Sequence, residues 1–261
     1  MLRKIKILLA GLILFLVVFG IIKDKIFDTA QNCKKKMGIS SSYLSREANI
    51  FETPRTLVYR LYFWSIIPMG ELKISTKPGD SNTVFTAEAD SAKSFVERFI
   101  AAKASVESNF STKGRLPYKY IERTEVNGKI KEKEVIYDRE VLLAIQGKKK
   151  IRIAKDTIDP LGAFIQMLTL SLEKGKVVVI PFMSGGDLYN FKVTSLNVNE
   201  GIEEVLIDIK RANLTSSHGG SLHVWLTNDN SRVPLVFKSW TPVGYASVVL
   251  DRIVTDKRGP Q

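Results

Sequence analysis

From residue 56 onward, the chain is a succession of short runs rich in β-branched and aromatic residues, each ended by residues that favour turns. Such runs are typical of β-strands. The clearest turn is Asn127-Gly128, because both residues readily adopt the positive φ angles of a type I′ turn. It is predicted to join strands at residues 118–126 and 129–137. Roughly a dozen strands with mostly short connections predict a mainly β fold, in which a curled antiparallel sheet forms a barrel or half-barrel.

One segment departs from this pattern and is predicted to form a single apolar helix over residues 160–173. Asp159 is a good N-cap, Pro160 is favoured in the first turn, and Gly175 supplies a stop. Apolar side chains recur at helical spacing, at Leu161, Phe164, Ile165, Leu168 and Leu172. Further apolar residues lie on the opposite flank, and such a helix must be buried on more than one side. We therefore expect it to pack across the concave face of the sheet.

The chain begins with a basic and then apolar segment that is typical of targeting to a membrane. Residues 7–22 contain no charged or polar side chain, and basic residues stand on both sides of them. A cleaved signal peptide has this layout, but it also needs a small-x-small cleavage site, which is poorly formed here. An uncleaved anchor normally needs ~17–25 apolar residues, and flanking lysines can extend a slightly short one. Both alternatives stay open, and both predict export of the residues that follow.

These features divide the chain into four predicted parts. Residues 1–22 form the signal anchor or signal peptide, residues 23–53 a polar stalk, residues 54–256 the β-rich domain, and residues 257–261 a tail. Positive charges flank both ends of the apolar segment and do not decide its orientation. A large following domain is exported largely regardless of charge, so we expect the β-rich domain to lie outside the cytoplasm.

The net charge of the chain does not identify a class of binding partner. The formal net charge is +12, but the basic residues are scattered among acidic ones, and the tightest run is residues 148–150 at a predicted hairpin. A nucleic-acid binder concentrates basic residues on one face, so we expect no nucleic acid as a partner. Adhesion to an anionic membrane is one alternative, and a simply basic surface is the other. The single cysteine, Cys33, excludes an internal disulfide.

Patterns that carry catalysis or bind cofactors are weak in this sequence. His218 and His223 are two histidines five residues apart, whereas a zinc site needs three or four ligands. Glu203 and Glu204 are adjacent on a predicted strand, so their carboxylates point to opposite faces. No phosphate-binding or dinucleotide-binding glycine motif occurs. We therefore expect no enzyme, no catalytic residue, no metal and no cofactor, with a hydrolase as the third-ranked alternative.

Four local patterns, in this order and spacing, resemble a bacterial family of exported proteins, the domain-of-unknown-function family 3108. They lie at residues 59–70 (YRLYFWSIIPMG), 116–118 (LPY), 159–161 (DPL) and 224–234 (VWLTNDNSRVP), and the resemblance covers about residues 55–255. It implies a β-rich domain of the cell envelope and brings no established catalytic residues. Together with the N-terminal segment, it predicts a single-pass protein of the bacterial inner membrane, with its C-terminal domain in the periplasm or outside the cell.

The expected function is that of a non-catalytic binding module, with an apolar or lipid-like ligand held between sheet and helix. The candidate ligand-facing residues are Leu161, Phe164, Ile165 and Leu168 on the helix, and Tyr62, Trp64, Trp225 and Trp240 on strands. The alternative is a structural or protein-interaction domain of the envelope, in which the same side chains fill the core. A connected apolar cavity of ~300 Å³ or more favours the ligand, whereas a packed core holds few voids larger than a water molecule.

Overall fold

The computed structural model describes residues 24–37, 50–51, 53–91, 102–212, 220–241 and 244–255. The strands are β1 (Arg55–Phe63), β2 (Ile67–Pro78), β3 (Asn82–Asp90), β4 (Ala102–Ser111), β5 (Pro117–Val126), β6 (Lys129–Asp138), β7 (Leu143–Gln146), β8 (Lys149–Arg152), β9 (Val177–Ser184), β10 (Asp187–Asn199), β11 (Ile202–Arg211), β12 (Gly220–Thr227), β13 (Pro234–Thr241) and β14 (Gly244–Val254). The helices are α1 (Asp24–Lys36) and α2 (Pro160–Leu168). The predicted membrane segment at residues 1–22, the tail at residues 257–261 and His218 lie outside the described residues.

All fourteen strands belong to one antiparallel sheet, in the order β8-β7-β6-β5-β4-β3-β2-β1-β14-β13-β12-β11-β10-β9. Strands that are consecutive in the chain are neighbours in the sheet, except for β8 and β9, which form its two edges. The first strand, β1, pairs with the last, β14. The edge strands β8 and β9 are not paired with each other in the part of the chain that the structure describes. The prediction of a mainly β, antiparallel fold is confirmed, and the sheet is open rather than a closed barrel.

The open sheet nevertheless curls, because strands far apart in its order face a common interior. Tyr120 of β5 and Phe182 of β9 line the same cavity, although nine strands separate β5 and β9 in the order of the sheet. The segment before α2 partly occupies the gap between the edges. The Ile158 backbone N–H donates to the Pro181 carbonyl at 3.1 Å, and the Met183 N–H donates to the Ile158 carbonyl at 2.8 Å. Together these bonds form a short parallel bridge beside β9.

The predicted hairpin at Asn127-Gly128 joins β5 to β6. The φ angles of the two residues are 49° and 76°, which lie in the left-handed region that a type I′ turn requires. Gly147 between β7 and β8 also has a positive φ angle, of 57°. These turns reverse the chain within a few residues, so consecutive strands pair in register as a meander.

Helix α2 begins as the sequence predicts but ends earlier than residue 173. The Asp159 carboxylate caps it by accepting from the Gly162 N–H at 2.7 Å, and Pro160 opens the first turn. At its C-terminal end, the N–H groups of Thr169 and Leu170 donate to carbonyls three residues back, which is the tighter 3₁₀ pattern. Buried residues lie on both flanks of the helix, as expected; they are Leu161, Gly162, Ala163, Ile165, Met167 and Leu168.

Helix α1 lies inside the segment that was predicted to be a stalk. It packs on the sheet beside β12, β13 and β14, where Ala30 and Cys33 are buried. The Cys33 thiol donates to the Leu250 carbonyl at 3.0 Å, and the Lys36 ammonium pairs with Asp251 at 3.3 Å. The stalk prediction is therefore wrong for residues 24–36, because a short polar helix docks there through few buried side chains. Neither described helix is long and apolar enough to cross a membrane.

Candidate functional site

The concave side of the curled sheet and helix α2 enclose an apolar cavity of ≈ 260 Å³. Aliphatic side chains from β1, β2, β4, β11 and β12 form part of its wall, and the small side chains of Ala87 and Ala89 on β3 leave room within it. Six aromatic residues complete the wall, namely Tyr120, Phe164, Phe182, Tyr189, Phe191 and Phe237. Period-two alternation places these strand residues on one face of the sheet, so the cavity is a product of the whole meander.

The aromatic residues of the wall pack against one another rather than fill the space. The rings of Phe164 on α2 and Phe237 on β13 lie 5.5 Å apart between centroids, which joins helix to sheet. Phe182 stacks on Tyr189 at 5.3 Å and meets Phe191 edge-on at 6.1 Å. Such pairs hold their rings in defined orientations, so the wall between β9 and β13 is a preformed surface.

The N-terminus of α2 brings a buried polar group next to this wall. Asp159 is fully buried, and the Ser108 hydroxyl donates to its second carboxylate oxygen at 2.5 Å. Burial raises the pKa of the Asp159 carboxyl from 3.8 to about 6, against the opposing effect of the hydrogen bonds from Ser108 and from the Gly162 backbone. The next two residues, Pro160 and Leu161, belong to the cavity wall. The carboxyl group therefore lies directly behind the lining.

Two buried tyrosines surround this carboxyl group. Tyr120 is paired with Ser108 across β4 and β5, and Tyr137 lies on β6. Burial raises the pKa of both phenols well above the usual range, and the Asp159 carboxylate raises both further. The Arg139 guanidinium lies 4.8 Å from the Tyr137 ring centroid. Both phenols are consequently neutral donors at physiological pH, and only Tyr120 reaches the cavity wall.

Of the eight predicted ligand-facing residues, the structure brings two to the cavity. Leu161 and Phe164 on α2 form part of its lining. Ile165 and Leu168 are buried on the same helix but lie outside the lining, within the packed core. One face of the helix therefore lines the cavity, and its other apolar residues pack in the hydrophobic core.

The four predicted strand residues lie elsewhere, three of them on the other face of the sheet. Leu61, Leu222 and Phe237 line the cavity, and Tyr62, Trp225 and Trp240 stand an odd number of residues from them along the same strands. Side chains at odd spacing point to opposite faces. Tyr62 lines a groove beneath α1, Trp225 stacks on His223, and Trp240 meets Tyr245 edge-on.

Trp64 lies in the turn between β1 and β2, where it is 47% exposed and stacks on Phe63. Its indole covers Gly244, where an added Cβ would lie 1.9 Å from the indole nitrogen. Trp64 therefore packs on the first residue of β14 and is not part of the cavity wall. A glycine at position 244 is required for this close approach.

Sequence reasoning missed the aromatic residues of β9 and β10 and the tyrosine of β5. Phe182, Tyr189 and Phe191 occupy alternate positions of adjacent strands, and Tyr120 lies with Tyr118 in a strand that is otherwise rich in charged residues. The available signal was alternation, but alternation does not reveal which of two faces is concave. Strand pairing was needed to assign them to one cavity.

The two adjacent glutamates noted in the sequence each pair with a different basic residue. Glu203 accepts from the Arg232 guanidinium at 2.7 Å in a buried pair, and Glu204 lies 3.0 Å from His223 Nδ1. The two adjacent carboxylates thus have different surroundings, as their positions on a strand predict. Among the described residues, no group of three or more histidine, cysteine, aspartate or glutamate side chains is close enough together to hold a metal ion.

Comparison with known proteins places this arrangement in a family. None of the curated proteins matches the chain. Among solved structures, a β-barrel-like protein of domain of unknown function DUF1849 from Brucella abortus matches with a TM-score of 0.56 and 8% identity, over 78% of this chain and 98% of its own. A DUF1089 family protein from Pseudomonas aeruginosa has a TM-score of 0.35 and 8% identity, over 62% and 86%. The family model described as protein of unknown function (DUF3108) matches residues 58–251, so the chain belongs to the DUF3108 family.

Proposed function

We propose that the protein is a non-catalytic binding module that holds an apolar or lipid-like molecule between the sheet and helix α2. The observation that carries this proposal is the cavity of ≈ 260 Å³ with an almost wholly apolar wall. A void of roughly 150 Å³ lined by apolar side chains already admits benzene. The cavity is smaller than the ~300 Å³ expected of a lipid site from the sequence, so we propose that it holds one small or single-chain molecule.

The packing of the aromatic wall supports a binding function for the cavity. Protein interiors are close-packed, and a void of this size forgoes dispersion contacts that neighbouring side chains would otherwise make. The aromatic pairs that join α2, β9 and β10 to the rest of the wall keep its sides apart. A ligand in the cavity would restore those contacts.

We further propose that the domain is exported and held at the bacterial inner membrane by residues 7–22. The support is the uninterrupted apolar character of that segment and the basic residues around it. Residues 1–22 contribute three of the +12 charges, and the remaining +9 would favour an anionic membrane surface near the domain. A binding module at such a surface would be close to a source of lipid-like molecules.

The second candidate function is an interaction domain of the envelope. It is favoured by edge strand β9, where Val177 and Val179 are 44% and 52% exposed. The Ile158 bridge reaches β9 only near Phe182, and exposed apolar side chains on the rest of an edge strand can accept an extended segment of another protein. An interaction domain of this kind does not need the cavity. A variant that fills the cavity therefore affects the proposed binding function and not the interaction function.

The test is the variant Ala87→Phe, which projects a ring into the cavity from β3. The matched control is Thr86→Phe, the neighbouring position of the same strand, whose side chain points to the opposite face. Binding of the neutral fluorescent probe N-phenyl-1-naphthylamine to the full chain is expected to be lost in A87F and kept in T86F. The apolar segment at residues 7–22 is present in both variants, so probe absorbed there cancels in the comparison.

Stability measurements on the same variants distinguish a void from a filled core. Adding a large side chain to a packed core typically costs ~1–3 kcal/mol, whereas a ring that enters an existing void gains contacts. We expect A87F to unfold within about 1 kcal/mol of the parent chain. Equal probe binding in A87F and T86F would overturn the binding function.

A further inference from the structure

We infer that the ligand is a single-chain amphiphile whose polar end is uncharged and hydrogen-bonds to the Tyr120 hydroxyl, while its chain lies along the aromatic wall. This inference rests on the proposed binding function and narrows the class of ligand. It follows from three features of the wall: the position of its polar atoms, the accessibility of one of them to a molecule in the cavity, and the charges behind it.

The polar side-chain atoms of the wall are confined to two tyrosines. Every other lining side chain is aliphatic, phenylalanine or proline. Tyr189 lies partly exposed on β10, so water can reach it from outside. Tyr120 lies on β5 and is only 5% exposed. A ligand inside the cavity therefore meets one secluded hydroxyl group.

Tyr120 belongs to the cavity wall, and its hydroxyl is not among the described side-chain atoms that are both fully buried and unpaired, unlike that of Tyr137. A molecule in the cavity can therefore reach it. Its nearest polar neighbour across the sheet, Ser108, directs its own hydroxyl to the Asp159 carboxylate. The carboxylate accepts in addition from Gly162. A ligand that displaces water from this donor without supplying an acceptor incurs a desolvation cost, and a ligand oxygen that accepts from it avoids that cost. A pure hydrocarbon would leave the hydroxyl unpaired.

Charges behind the wall select against an ionised polar end. Glu122 and Asp159 both favour the neutral form of Tyr120, but the Glu122 carboxylate is paired with the Lys133 ammonium at 3.0 Å, whereas Asp159 has only neutral hydrogen-bond donors, Ser108 and Gly162. A second carboxylate or a phosphate at this position would be repelled by Asp159. An ammonium group would lose its hydration in an apolar cavity while the Asp159 oxygens are already occupied by Ser108 and Gly162. A hydroxyl or carbonyl group meets neither obstacle.

The inference is tested by displacement of N-phenyl-1-naphthylamine from the full chain with four probes of equal chain length: decane, 1-decanol, decanoate and decylamine. At neutral pH, 1-decanol is expected to displace the reporter at concentrations at least tenfold lower than decanoate or decylamine. An equal or stronger effect of either ion would overturn the inference while leaving an apolar binding site in place. Failure of all four probes, decane included, would overturn the proposed function itself.

The variant Tyr120→Phe isolates the hydroxyl, since it keeps the ring and removes only the hydroxyl group. We expect it to weaken 1-decanol binding roughly fivefold, the effect of one neutral hydrogen bond, and to leave decane binding unchanged. The matched control is Tyr118→Phe on the same strand, whose hydroxyl accepts from Asn82 at 3.2 Å and lies outside the cavity wall. If Y120F binds both probes as the parent chain does, the hydroxyl does not receive the ligand and the inference fails.

Discussion

Asp159 shows how a single residue serves both the fold and the site. Its carboxylate caps α2 through Gly162 and accepts from Ser108 on β4, so it ties the helix to the sheet. Both bonds lie in a fully buried environment, which favours the protonated form of the carboxyl group. The same residue therefore sets the position of α2 at the cavity and the charge behind its wall.

The raised pKa of Asp159 predicts a pH-dependent contribution to stability. The folded-state pKa is about 6 and the ordinary value is 3.8, so folding favours the protonated carboxyl. Its stabilising contribution is complete below about pH 4 and is lost as the pH rises through about 6. Relative to Asp159→Asn, the parent chain is expected to lose about 3 kcal/mol of unfolding free energy between pH 4 and pH 7.

Urea unfolding of both proteins across this pH range measures the difference. Asp156→Asn is the matched control, because Asp156 is exposed three residues earlier in the same segment. Its difference from the parent chain should be nearly constant with pH. A constant difference for D159N as well would contradict the shifted titration.

The residue types predicted correctly that many side chains are buried. They did not predict on which face of the sheet those side chains lie. Tyr62, Trp225 and Trp240 were assigned to the concave face because they are large and apolar. They lie on the other face, where α1 and neighbouring aromatic residues cover part of it. A strand of alternating residues has two equivalent faces until its neighbours are known. The sequence pattern of a single strand contains no information about those neighbours.

At the scale of elements, α2 was the most predictable part of the molecule. An N-cap, a proline in the first turn and apolar residues at helical spacing are local signals, and each lies within the helix itself. Its early end at Leu168 follows from a 3₁₀ turn, which the continuing apolar pattern does not reveal. Helix α1 was missed, because its docking depends on contacts with distant strands.

Burial of α2 on both flanks predicts that a charge on it is strongly destabilising. Leu168→Asp places a carboxylate at a position that is 4% exposed and has an apolar environment. The expected cost is several kcal/mol of unfolding free energy. Gln166→Asp is the matched control, since it adds the same charge two residues earlier at an exposed position. Melting of L168D within a few degrees of Q166D would show that α2 is peripheral.

Docking of α1 predicts that the single cysteine is unreactive in the folded protein. Burial raises the pKa of the Cys33 thiol, and its hydrogen atom is directed at the Leu250 carbonyl. Because the thiolate is the nucleophile, alkylation by iodoacetamide is expected to be at least roughly tenfold slower than in the urea-unfolded chain. Ala30→Asp, which buries a charge in the same contact, should restore rapid alkylation. Equally fast alkylation in the native and unfolded chains would contradict the docking.

At the scale of the whole molecule, the strands and their turns were predictable, but the cavity was not. Local turn residues determine the meander, and pairing between consecutive strands follows from it. The cavity depends on how far fourteen strands curl and on how deeply α2 enters. The curl of the sheet and the depth of α2 each depend on many small strand twists and side-chain volumes. The cavity size of ≈ 260 Å³ could therefore be obtained only from the structure.

The proposed export of the domain makes a prediction for the full chain in bacterial cells. Alkaline phosphatase is active only outside the cytoplasm, so its fusion after Gln261 is expected to be active. Deletion of residues 1–22 from the same fusion provides the control and should abolish activity. An intact but inactive fusion of the full chain would contradict the proposed location.

The central claim is that the cavity holds an apolar or lipid-like molecule. The most direct measurement is mass spectrometry of organic extracts from the full chain and from A87F, purified in parallel from bacterial cells. Lipid held by residues 7–22 will be common to both samples, so only the difference between them reports on the cavity. We predict a single-chain molecule that is stoichiometric with the parent chain and depleted in A87F. Identical extracts from the two proteins would contradict the claim and leave the interaction domain as the better account.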